Sequence, residues 1–203
     1  MKPLTISTIL AFLILTAFSI DTAAQETQAH EDHQHASEII EDWPETAKKT
    51  AKEVIDTYGE PDEMTSSLLV WNETEDWNKT MIQREEIDHE FPMPHKDVLY
   101  QEIDYDVPTE YFDVLAVYDG SVIVERTKGT IAARCDKEAA NYLAINLAHE
   151  IIEDEKSVEE AREFYAQTMK KMMEGETSEY VQGFIFDVSQ GDTGDADSAI
   201  MDE

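Results

Sequence analysis

Residues 130–152, TIAARCDKEAANYLAINLAHEII, constrain this chain more than any other stretch. They read as a short strand, a tight junction and then a helix. Ala140, Leu143, Ala144, Leu147, Ala148 and Ile151 recur at i, i+3, i+4, i+7, i+8 and i+11, one apolar stripe of an amphipathic helix. Asp136 stands where a carboxylate can accept from the orphan N–H groups of the first turn. Ala144 and Ala148 are small enough to let another element approach closely. Cys135, the only cysteine, lies at the junction.

The rest of the chain is expected to supply a sheet and further helices. A helix should start near Trp43-Pro44, with Ala47, Ala51, Val54, Ile55 and Tyr58 on its apolar face. Gly59 and Pro61 should end it. Residues 67–71 and 80–84 form a candidate hairpin. Residues 85–97, EEIDHEFPMPHKD, should be extended and kept from a sheet interior by Pro92 and Pro94. A strand over 98–107 follows. Residues 109–118 mix helical and strand signals; Pro108 and Gly120 at their ends favour helix. Residues 121–126 and 130–134 should pair through Lys128-Gly129. The last helix opens on a capping box, Ser157-x-x-Glu160. Residues 183–188 read as a final strand. The sum is a single α+β domain over residues 43–188, a mostly antiparallel sheet packed by three to four helices.

The flanks read differently. Residues 1–24 have the form of a secretory signal peptide: Lys2, an uncharged apolar run over 4–20, and the small residues Thr22-Ala23-Ala24. Export to a periplasmic or extracellular space, with cleavage near Ala24, is the expectation. No second apolar run exists, so no transmembrane segment is expected in the mature chain. Residues 25–42 are acidic and carry His30, His33 and His35, a flexible leader able to chelate a borderline cation. Residues 189–203 are acidic and base-free and read as a disordered tail.

Formal charge is −31 over 203 residues. Such a field repels nucleic acid and anionic lipid and draws cations or basic partners. It is also the surface of a protein adapted to salt. A lone cysteine closes no intrachain disulfide, so the core must carry stability.

The sharpest chemical candidate is His89, His95 and Asp97. His95 and Asp97 are two apart in extended chain, so both leave on one side, roughly 6.5–7 Å apart along the strand. A straight segment would put His89 about 19 Å from His95, so the chain must bend for the three to share an ion. Cys135 or His149 could be brought in by the fold as a further ligand. Such a set suits zinc, or copper in an exported setting. Cys135 could instead be a thiolate nucleophile, activated by a helix N-terminus. Against catalysis, no nucleophile, base and orienter occur together at informative spacing, and no phosphate loop, dinucleotide fingerprint or GxSxG elbow is present.

The motifs Tyr58-Gly59-x-Pro61-Asp62, Phe91-Pro92-Met93-Pro94-His95-x-Asp97, Asp119-Gly120-Ser121-Val122, Ala133-Arg134-Cys135-Asp136 and Leu143-Ala144-x-Asn146-Leu147-Ala148 resemble an uncharacterised family of exported bacterial proteins. The resemblance implies export and one domain, and no chemistry. The helix, Tyr58–Asp62 stop and hairpin are also similar to the small outer-membrane lipoproteins of the barrel-assembly machinery, over a short part of the chain. The functional expectation is an exported acidic binding or cell-envelope module, acting on an unknown protein or small molecule without catalysis. A metal-binding protein or metal-dependent enzyme built on His89, His95 and Asp97 is the alternative, and a thiol-dependent enzyme using Cys135 is the second.

Overall fold

The computed structural model describes residues 35–189 and 191–201. The expected signal peptide, and His30 and His33 of the leader, lie outside the described residues. Six strands form one antiparallel sheet: β1 (Glu63–Thr65), β2 (Leu68–Thr74), β3 (Trp77–His89), β4 (His95–Asp104), β5 (Val122–Glu125) and β6 (Thr130–Cys135). Their order is β1-β2-β3-β4-β6-β5. Among the described residues five α-helices accompany them: α1 (Ala36–Ile39), α2 (Glu45–Tyr58), α3 (Phe112–Tyr118), α4 (Glu138–Ile152) and α5 (Val158–Met173). The expected α+β domain is the one formed, with one helix more than the sequence predicts. None of the described helices is long and apolar enough to cross a membrane.

α2 and α4 lie on one face of the sheet. α2 buries Ala47, Ala51 and Val54 against Leu69, Trp71, Ile82 and Leu99. It ends at Gly59, whose φ of 82° is open to a residue without Cβ. Its N-terminus has no side-chain cap of its own. The carboxylate of Glu86 supplies one from the sheet, accepting from the N–H groups of Thr46 at 2.8 Å and Ala47 at 3.2 Å.

Glu86 reaches that position because β3 is irregular. Ile82 pairs with Leu99 and Ile87 with Asp97, so residues 83–86 lie opposite Val98 alone. The bulge shifts the strand's alternation. Before it, even-numbered Thr80 and Ile82 face the helices; after it, odd-numbered Ile87 and His89 do. The expected hairpin is present, but residues 85–89 continue β3 where the prolines predict chain outside the sheet. Pro92 and Pro94 are confined to the turn, where no ladder N–H is needed.

α4 differs from its amphipathic reading. Twelve of its residues are buried, including Asn141, Asn146 and Glu150. It lies between the sheet and a second layer of α5 and the segment around Val181, so it has no solvent face to leave polar. Asn146 serves that second layer: its amide nitrogen donates to the carbonyls of Tyr180 and Gly183, and its oxygen accepts from the N–H of Ile185. With its backbone tied to a helix side chain, the region 183–188 forms no strand. Asp136 does not cap α4; Lys137 holds the cap position with no side-chain bond. The capping box of α5 is formed as expected, Ser157 and Glu160 each bonding the other's backbone N–H.

The packed region is wider than residues 43–188. Ala36 and Ile40, placed in the flexible leader by composition, are fully buried against Trp43 and α2. At the other end, Thr193 donates to the Gly129 carbonyl at 2.6 Å, and Arg126 pairs with Asp195 at 2.6 Å and Asp197 at 2.5 Å. A Cβ on Gly129 would lie 2.1 Å from the backbone of Thr193, so the acidic tail crosses the β5–β6 turn in contact with it. Residues 109–118 are helical, a short 3-10 turn leading into α3.

Candidate metal centre

The β3–β4 turn places His89 directly opposite His95 in the ladder. The imidazole centroids are 4.8 Å apart, so the bend the sequence requires is made. Asp97 follows two residues along β4 and is buried. One ligand atom each from His89, His95 and Asp97 fall within 4.8 Å of one another. His95 Nε2 is 3.1 Å from Asp97 Oδ1, and His89 Nδ1 is 3.4 Å from Asp97 Oδ2.

Each of the three side chains is held by a further group. His95 donates from Nδ1 to the Met93 carbonyl at 2.9 Å, which turns Nε2 toward Asp97. His89 Nε2 is 3.5 Å from Asp119 Oδ1. Asp97 Oδ2 accepts the hydroxyl of Ser121. Asp119 in turn accepts the Ser121 N–H at 2.8 Å, so the Asp119-Gly120-Ser121 turn at the start of β5 is locked to itself and to the cluster. Asp97 Oδ1 is left over. It is buried with no partner in hydrogen-bond geometry, and meets only the His95 nitrogen off line. Such an orphan is costly unless something occupies the space before it.

The cluster is lightly open to solvent: the side chains of His89 and His95 are 17% and 14% exposed, that of Asp97 2%. Beside it, Phe91 of the turn meets Tyr165 of α5 in a tilted contact, ring centroids 5.1 Å apart, and lies under the Arg162 guanidinium at 3.8 Å. Burial pulls His95 down, but the Asp97 carboxylate beside it, with Cys135 nearby, outweighs that and raises its pKa to about 11. Burial pushes Asp97 up; the bonds from His95 and Ser121 outweigh that and hold its carboxyl below the usual value. Burial raises Asp119. A charged His95 therefore pairs with Asp97 two residues along the same strand, β4.

Cys135 ends β6 opposite Leu99, on the sheet face that carries Asp97, and near enough to His95 for that ring to oppose the upward push of burial on its thiol. Its sulfur is outside the 4.8 Å group. As a nucleophile it is badly placed: α4 begins three residues later, and burial raises the thiol. His149 does not join the site. Its Nδ1 is 2.7 Å from the Tyr105 hydroxyl and its ring stacks on Phe186 at 4.1 Å. Sequence reasoning passed over Asp119 and Ser121 as functional residues. The one signal was two small polar side chains flanking a glycine at a strand entry, which reads equally well as a turn.

Comparison with protein-family models, with curated proteins and with solved structures finds no match.

Proposed function

We propose that the chain is an exported, acidic binding module whose ligand is a divalent ion of the zinc class, held by His89, His95 and Asp97. One observation carries the reading: all three ligands have a second partner that aims them, they lie within 4.8 Å of one another, and Asp97 Oδ1, 3.1 Å from His95 Nε2, is buried without a hydrogen bond. That is how metal-binding histidines and carboxylates are supported, the far ring nitrogen or oxygen being fixed so that the near one faces the ion. Two imidazoles and a carboxylate suit zinc, nickel or copper better than calcium or magnesium, which take oxygen shells. The charge of −31 favours the approach of a cation.

The test uses the whole chain with His30, His33 and His35 replaced by Ala, so that the leader cannot bind. Zinc is added, the protein is dialysed against a weak chelator, and metal is counted by elemental mass spectrometry. About one equivalent should remain, and His95→Ala should retain none. Ser121→Ala keeps all three ligands and should bind about 10–100-fold more weakly. No metal on the leader-silenced chain refutes the reading and leaves the cluster as an ionic lock between β3, β4 and β5.

A further inference from the structure

We propose that Cys135 is the fourth ligand, so that the site is closed and holds its ion as a retained component and not as a Lewis acid open to substrate. The inference rests on the metal reading above. Three placements carry it. Cys135 pairs with Leu99 across the β4–β6 ladder and shares the sheet face of Asp97. His95 Nδ1 is committed to the Met93 carbonyl, so Nε2 is the nitrogen left for an ion, and it lies 3.1 Å from Asp97 Oδ1 on the face that Cys135 shares. Among the described residues the sulfur's one hydrogen bond is to Asp136 Oδ1 at 3.6 Å, a weak bond that costs little to give up.

The sulfur lies outside the group formed by the other three, so ligation would require Cys135 to turn about its Cα–Cβ bond. The thiol proton leaves to solvent as the metal–sulfur bond forms, since only the thiolate ligates. Two nitrogens, one oxygen and one sulfur make a four-coordinate set with no vacant position, the mark of a structural zinc site. The ion would then tie β3, β4 and β6 together at the end of the sheet beneath α5. Thiolate also selects against magnesium, calcium and manganese.

Cobalt(II) reads the ligand directly. Added to the leader-silenced whole chain in place of zinc, it should give the visible absorption of a tetrahedral ion and a near-ultraviolet sulfur-to-cobalt charge-transfer band. Cys135→Ser should still take up cobalt but lose that band. The band in the unaltered chain answers the question even where the variant does not fold. Cobalt retained without the band overturns the closed site and leaves the three-ligand site standing. No retained cobalt overturns both.

Discussion

His95 shows how much one side chain depends on what surrounds it. In water it would lose its proton near the ordinary 6.5; here burial opposes the charge, but the Asp97 carboxylate prevails and the pKa rises to about 11. A group whose pKa rises on folding stabilises the folded chain fully below its unfolded value, and that contribution drains away as pH climbs to the folded one. Asp97 has the opposite sign: its lowered pKa gives stability that is present above the ordinary 3.8 and lost as pH falls through the folded value. The metal-free protein should therefore become less stable from about pH 6.5 toward about pH 11 on account of this pair. Urea midpoints at pH 7 and pH 10, in excess chelator, check it. His95→Gln should flatten the slope; an unchanged slope would mean that His95 is neutral in the folded chain.

α4 is the element on which both layers depend. Leu143 and Leu147, on one stripe of the helix, and Ile145, on the opposite side, are each fully buried. Leu147→Ala should cost about 2–5 kcal/mol, the range for a leucine whose surroundings cannot collapse onto the gap. An exposed change such as Val117→Ala on α3, where the side chain is 70% exposed, should stay within about 0.5 kcal/mol. Denaturant midpoints with unchanged m-values would establish both. Similar costs at the two positions would mean that α4 is not held from both sides. The helix itself was legible in the sequence, as was the capping box of α5. The burial of its polar residues was not. Asn146 bonds the backbone of residues 180–185, and no local pattern announces a partner so far along the chain.

Across the whole molecule the surplus of acid sets the response to salt. Excess carboxylates repel one another, and the folded state brings them closer than the unfolded chain does. Screening shortens that repulsion, from a Debye length of about 10 Å at 0.1 M to about 3 Å at 1 M. The melting temperature should rise between low salt and 1 M sodium chloride. A fall would mean that pairs such as Arg126–Asp195 and Lys128–Glu102 outweigh the net charge. The tail contributes to this balance, because Asp195 and Asp197 are anchored on Arg126 across the β5–β6 turn.

By itself the sequence determined the α+β class, the strands and helices around Gly59, Pro61 and the capping box, and the grouping of His95 with Asp97, because each follows from periodicity, a restricted backbone or neighbours two residues apart. Tertiary structure alone decided the rest of the centre. The bulge at residues 83–86 turns His89 to the face of Asp97, and antiparallel pairing sets it against His95. The β4–β6 register brings Cys135 to the same ring, and the entry to β5 delivers Asp119 and Ser121 from the far edge of the sheet. Register, a bulge and strand order are properties of pairs of segments. They arise from what each strand meets on folding, so no stretch read alone contains them.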